Sequence, residues 1–236
     1  MADGHTPVPG PAEFDDYAAD YHAQHAASIR ASGEDPDHFA RYKAQDARAW
    51  SATSGLAPRR VLDFGTGIGN ALPHLARAFP DASLTGLDPS ERSLAMARAA
   101  HGGYADLMPY DGRAVPFADD SFDLVFTACV FHHVPHDRHT DLLAEIRRVL
   151  RPGGAFFLFE HNPRNPLTRR AVRLCPFDAD AVLIEGPEMA RRVRDAGFEA
   201  RLRYRVFVPG LLRALRPAER LLTWCPLGAQ YHVHAV

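Results

Sequence analysis

Three glycines spaced two residues apart, Gly65, Gly67 and Gly69, follow a short apolar run in VLDFGTGIGN (61–70), with Asp63 just ahead of them. Glycine permits positive φ and close approach of a ligand to bare backbone, so these residues read as a buried strand that turns around a nucleotide-like molecule before a helix begins. A second carboxylate, Asp88, closes the alternating run SLTGLDPS, roughly 20 residues beyond the turn, where an acid accepts both hydroxyls of a ribose. Groups suited to moving a proton come later: His132 and His133 in FHHVPHDRH, and Glu160 with His161 in FFLFEHN. Imidazole and carboxylate are the usual general bases. A hydrogen-bonding or packing role for His133, and a cap to a neighbouring loop for Glu160, stand beside that reading.

These residues must be positioned by a regular scaffold. Strands near 60–64, 83–88, 103–107, 122–128 and 154–160 alternate with helical stretches such as ERSLAMARAA, which demands a parallel sheet covered by helices on both faces. Ligands bind at the carboxyl ends of such strands, where all these residues fall. Residues 14–50 read mainly as helix, broken at SGEDPDHF by Gly33 and Pro36. After the fifth strand, 161–185 is too long for an ordinary connection and predicts part of a binding site. EGPEMARRVRDAGF reads as a helix, FEARLRYRVFV as a sixth strand, 209–226 as a helical insertion and GAQYHVHAV as a closing strand.

At 236 residues, with 46% hydrophobic and 24% charged residues, the chain predicts one soluble domain with one substantial core. No apolar run is long enough for a membrane helix, and the N-terminus lacks a secretory pattern, so a cytoplasmic protein without a membrane partner is expected. Cys129, Cys175 and Cys225 lie far apart and imply neither disulfides nor zinc; Cys129 reads as a small core residue. Residues 1–150 hold 13 basic and 21 acidic side chains, and 151–236 hold 14 and 8, a balance of −8 against +6. The basic half includes Arg164, Arg169, Arg170 and Arg173, a solvated face or a contact to an anionic group. The chain as a whole is not basic, which disfavours nucleic acid.

Glycine spacing separates two ligand classes. A dinucleotide turn is G-x-G-x-x-G, whereas here the spacing is G-x-G-x-G, with Asn70 at the place of the third glycine. Asp63 repels phosphate and suits an ammonium or sulfonium cation. VLDFGTGIGN resembles the first motif of the class I S-adenosylmethionine (SAM)-dependent methyltransferases. YDGRAVPFADDSFDLVFTACVFHHV (110–134) and LLAEIRRVLRPGGAFFLFEHN (142–162) are similar to that family's later motifs. The resemblance covers 61–162 and is closest to the ubiquinone-biosynthesis-like, or type 11, branch.

The resemblance implies a Rossmann-like α/β fold: a doubly wound seven-stranded sheet of order 3-2-1-4-5-7-6 with strand 7 antiparallel, and a helical N-terminal cap. Its domain limits would be a flexible 1–13 and a single domain over 14–236, with the cap at 14–55 and insertions at 161–185 and 209–226. It implies SAM as cofactor, leaving as S-adenosylhomocysteine (SAH), held by Asp63, Gly65, Thr66, Gly67, Asp88, Pro89, Asp111, Gly112 and Thr127. Asp111 would accept from the adenine amino group and the Gly112 N–H would face the ring. His133 and Glu160 would be the catalytic candidates, and Tyr17, Tyr21, His132 and His161 would meet the acceptor. Tyr17 and Tyr21 share a helix face and also suit core packing.

The function implied is methyl transfer to O, N or C of a small molecule, as in secondary metabolism. A nicotinamide-dependent oxidoreductase and a non-catalytic SAM-binding accessory protein are the alternatives. No metal is expected: in FHHVPHDRH adjacent histidines point in different directions, His136 and His139 read as a helix entry and a solvated face, and no acidic partner of recognisable spacing accompanies them.

Overall fold

The computed structural model describes residues 35–208 and 210–236, so Tyr17 and Tyr21 lie outside the described residues. In chain order the elements are α1 (Pro36–Ser54), β1 (Arg60–Phe64), α2 (Leu72–Ala78), β2 (Ser83–Asp88), α3 (Glu91–His101), β3 (Asp106–Pro109) and β4 (Phe122–Ala128). They continue with α4 (His139–Val149), β5 (Leu150–His161), α5 (Pro166–Arg173), α6 (Gly186–Asp195), β6 (Ala200–Arg205) and β7 (Gln230–Ala235). The strands form one sheet in the order β3-β2-β1-β4-β5-β7-β6, with β7 antiparallel to both neighbours, as the resemblance implied.

The sheet is buried from both sides because side chains alternate along each strand. On one face, Phe157 and Phe159 of β5 and Phe126 of β4 pack with Ala44 and Ala47 of α1 and with Leu75 of α2. On the other, Phe156 and Leu158 meet Leu142 and Ile146 of α4 and Met189 and Val193 of α6. The chain crosses from one half of the sheet to the other between β1 and β4, leaving a crevice at their carboxyl ends.

Local chemistry sets the boundaries. The break expected at SGEDPDHF is the start of α1, where Asp35 accepts from the His38 N–H at 2.7 Å. β3 begins later than expected because residues 102–104 still complete the turn after α3, with the Gly102 N–H on the Arg98 carbonyl. β5 begins earlier. Leu150 pairs with Phe122 and Ala155 with Leu124, so R-P-G-G is a bulge inside the strand. Asp123 braces that bulge: it accepts from the Arg59 and Arg60 N–H groups at 2.6 and 2.8 Å and pairs with Arg151 at 2.6 Å.

The stretch 161–185 contains α5 and a 3-10 turn, Pro176–Asp178, and 209–226 carries a 3-10 helix, Gly210–Leu221. Fully buried Asn162 joins the two, donating to the Pro226 and Gly228 carbonyls at 3.0 and 2.7 Å. Val182 N–H donates to the His132 carbonyl at 2.9 Å, which fastens the first insertion over the end of β4.

Candidate functional site

The three glycines of the turn do different work. At Gly65 (φ +74°) a Cβ would lie 2.3 Å from Val130 Cγ2, so packing of the β4 loop excludes any side chain there. At Gly67 (φ +53°) nothing lies within 4 Å of a Cβ, so this backbone faces open space. The Gly67 N–H donates to Asp88 Oδ2 at 2.7 Å, and Asp88 Oδ1 accepts from the Ser90 N–H at 2.9 Å, next to Pro89. Turn and second-strand acid are thus one hydrogen-bonded unit.

Asp63 is buried, and its Oδ2 accepts from the Thr66 hydroxyl at 2.7 Å. Burial pushes its pKa up to about 7, the Thr66 bond opposing and the Asp88 charge adding to the rise. Asp111 is exposed, and its Oδ1 accepts from the Arg113 and Ala114 N–H groups at 2.8 and 3.1 Å, bonds that hold the carboxyl below its usual range. Oδ2 takes no part in that turn. Beyond Gly112 there is open space, with nothing within 4 Å of a Cβ. Thr127, at the end of β4, is buried with no hydrogen-bond partner for its hydroxyl among the described residues. An open glycine backbone, two carboxylates on adjacent strands and an orphaned buried hydroxyl are features of a site that a polar ligand completes.

A second group of side chains caps β4 and β5. The chain turns at Cys129, whose φ of +60° is unusual for a residue with a side chain, and enters a 3-10 turn, Phe131–His133. Glu160 holds that turn: its Oε1 accepts from the Val130 and Phe131 N–H groups at 3.1 and 2.8 Å, and its Oε2 meets His132 Nδ1 at 2.6 Å. Burial alone would raise the Glu160 pKa, but the His132 charge takes it down to about 2. His132 is fully buried, and against that burial Glu160 and Asp178 hold its imidazole well above the usual pKa. His133 lies beside Asp178 at 3.4 Å, with its pKa lowered by burial and by the His132 charge.

His161 and Cys129 form the other half of this group. Lys43 Nζ of α1 lies 3.2 Å from Cys129 Sγ. Burial would raise the thiol, yet Lys43 and His161 bring it down to about 6. His161 shifts upward, burial opposing and the Cys129 charge prevailing. Cys129 is therefore more than a packed core thiol. Sequence reading missed Lys43 and Asp178, since neither lies in a motif; Asp178 signals itself only as an acid inside an over-long connection.

Two expectations need correction. His139, expected on a solvated face, is fully buried, with Nε2 3.0 Å from the Phe131 and Val134 carbonyls and Nδ1 2.7 Å from Arg192. His132 and His133 do not diverge: their rings lie 4.2 Å apart, and both approach Asp178 Oδ1. Arg164 is paired with Glu185 at 2.6 Å on the surface.

Residues 61–154 match the methyltransferase-domain family. Over that segment the chain is similar to a methyltransferase domain, and the sheet around it has the fold of class I, SAM-dependent methyltransferases. The methyltransferase domain is similar to a fatty-acid O-methyltransferase of Mycolicibacterium smegmatis, 34% identical over 129 residues that cover 54% of this chain and 46% of the relative. The chain thus spans about half the length of that curated relative. The fold is shared with a SAM-dependent methyltransferase of Thermotoga maritima described as a possible histamine N-methyltransferase (TM-score 0.65, 18% identity, 95% and 98% of the two chains covered). It is shared too with DhpI, solved as its SAH complex (TM-score 0.64, 16% identity, 96% and 94% covered). Among the described residues no helix is long and apolar enough to cross a membrane.

Proposed function

We propose that the chain is a SAM-dependent O-methyltransferase whose acceptor is a small amphiphile bearing a carboxylate, of the fatty-acid type. SAM supplies an electrophilic methyl group on a sulfonium. Asp63, Gly65, Thr66, Gly67, Asp88, Pro89, Asp111, Gly112 and Thr127 are the residues proposed to hold it: Asp88 at the ribose, the Asp111–Gly112 turn at the adenine and Asp63 at the cationic end.

The observation that carries the acceptor class is that, among the described residues, the two candidate bases Glu160 and His133 are both engaged by the chain. Both Glu160 oxygens are taken by the chain itself, and His133 Nε2 is turned toward Asp178. A carboxylate is already a nucleophile and needs positioning rather than deprotonation. We therefore assign Glu160, His132 and His133 to positioning the wall, and Lys43 with the upward-shifted His161 to the anionic head of the acceptor. For the apolar tail, 161–185 and 209–226 expose Leu167, Leu174, Val182, Leu221 and Trp224, the last at 73%. The O-methyl transfer to fatty acids named for the Mycolicibacterium relative agrees with this class.

The test is incubation of the purified protein with methyl-labelled SAM and matched series of fatty acids, fatty alcohols and alkyl amines. Fatty acids are expected to give methyl esters with one SAH released per ester. Methylation of amines or alcohols alone would sink the carboxylate reading. No product from any class, with SAH binding intact, would favour the accessory-protein alternative.

Asp63 makes the donor step pH-dependent in a calculable direction. Its folded pKa is raised to about 7, so the carboxyl is protonated below that pH and must lose a proton to face a cation. SAM affinity is expected to rise by up to about tenfold between pH 6 and pH 8, one proton being lost on binding. Asp63→Asn should flatten this rise in calorimetric titrations. A wild-type affinity that does not change across that range removes Asp63 from the cationic end of the site.

A further inference from the structure

We infer that His132 Nε2, His133 Nε2 and Asp178 Oδ1 form a binding site for one divalent transition-metal ion, zinc by the nature of the ligands. The three atoms lie within 4.8 Å of one another. Asp178 Oδ1 is 3.5 Å from His132 Nε2 and 3.4 Å from His133 Nε2. Those separations exceed the roughly 2.7–3.2 Å of a well-formed N–H···O bond. They match the ligand–ligand edge of a tetrahedral zinc site, about 3.3 Å when the bonds are about 2.0–2.1 Å. Two imidazoles and a carboxylate are also a common protein ligand set for zinc, with a fourth position left for an oxygen donor.

Two independent features point to an ion rather than a plain hydrogen-bonded cluster. His132 Nε2 is buried and makes no well-formed hydrogen bond among the described residues, its nearest acidic oxygen, Asp178 Oδ1, standing 3.5 Å away. Buried imidazole nitrogens are normally satisfied. On the opposite side of the same ring, Nδ1 is held by Glu160 Oε2 at 2.6 Å, and Glu160 is itself fixed by the Val130 and Phe131 N–H groups. This carboxylate–imidazole pair is the outer-shell support that orients a metal-bound histidine and selects its tautomer.

The fold explains how residues so far apart converge. The 3-10 turn after β4 brings the two neighbouring rings together, and the 3-10 turn Pro176–Asp178 delivers the carboxylate from the insertion after β5. The ion would cross-link 161–185 to the ends of both strands. The inference does not depend on the proposed methyl transfer or its acceptor.

The experiment is calorimetric titration of zinc into the full-length protein after EDTA treatment and dialysis, with thermal shift by SAH as the check on folding. Wild type is expected to bind one zinc per chain with submicromolar affinity. Asp178→Asn and His133→Gln are each expected to abolish binding in the micromolar range while keeping the SAH shift. Glu160→Gln should weaken zinc about 10- to 100-fold. Absence of tight zinc binding in the wild type overturns the inference. So does unchanged stoichiometry and affinity in the two ligand variants, which would place the ion on other histidines.

Discussion

Replacing Asp88 by alanine is expected to weaken SAM and SAH binding by about 1–3 kcal/mol, roughly 5- to 150-fold in Kd. Two losses combine. In the proposed binding mode the ribose hydroxyls lose a charged acceptor, and the glycine turn loses its anchor, because Asp88 Oδ2 holds the Gly67 N–H and Oδ1 holds the Ser90 N–H. Asp88→Asn keeps the size and one acceptor oxygen, and should fall between wild type and Asp88→Ala. Titration calorimetry with SAH reads this directly, without a need for the acceptor. Unchanged affinity in Asp88→Ala would remove Asp88 from the site.

The largest effect on stability is expected at Glu160. It is buried, accepts two backbone N–H groups and neutralises buried His132. Glu160→Ala leaves both N–H groups and the imidazolium without a partner in a low dielectric, a loss of about 3–5 kcal/mol. In a chain of this size that corresponds to a fall in Tm of roughly 6–20 °C. Glu160→Gln preserves an acceptor for the backbone and removes only the charge, so its fall in Tm should be clearly smaller. Both variants are compared with wild type in EDTA, so that bound metal contributes nothing. A Glu160→Ala protein within about 1 kcal/mol of wild type would mean that water reaches the cluster and replaces the carboxylate.

The cofactor half of the molecule was legible along the chain for a physical reason. Its parts are local: a strand end, a turn and a helix start lie within VLDFGTGIGN, Asp88 closes a short strand and Asp111 follows another by two residues. Alternating apolar residues and helix formers then leave a parallel sheet as the arrangement that buries every strand. The expected strand order matched the structure through β6 and β7. Boundaries were read less well. The R-P-G-G bulge depends on Asp123 bracing it from the neighbouring strand, and β3 starts late because hydrogen bonds after α3 hold the chain in a turn.

The acceptor half was not legible in the same way. Glu160 and His133 were visible as residues able to take a proton, yet what they do follows from what surrounds them. Glu160 is saturated by groups 28–30 residues away, and His133 faces Asp178 from an insertion. His139 looked like a surface residue because its burial comes from Arg192 and two loop carbonyls, none adjacent in sequence. Cys129 looked inert because Lys43 lies 86 residues away on α1.

By itself, then, the sequence determined the sheet, the crevice at its carboxyl ends and the kind of cofactor the crevice takes, since contacts within a few residues encode all three. Only the tertiary structure decided how the charges beyond β4 and β5 are shared. Lys43, Cys129, His132, His133, Glu160, His161 and Asp178 come from four separate segments, and the surroundings of each are set by neighbours that no local pattern records. Burial raises both Asp63 and Glu160, and whether the net shift is upward, as for Asp63, or downward, as for Glu160, depends on which charges are packed beside each; packing partners exist only once the chain has folded.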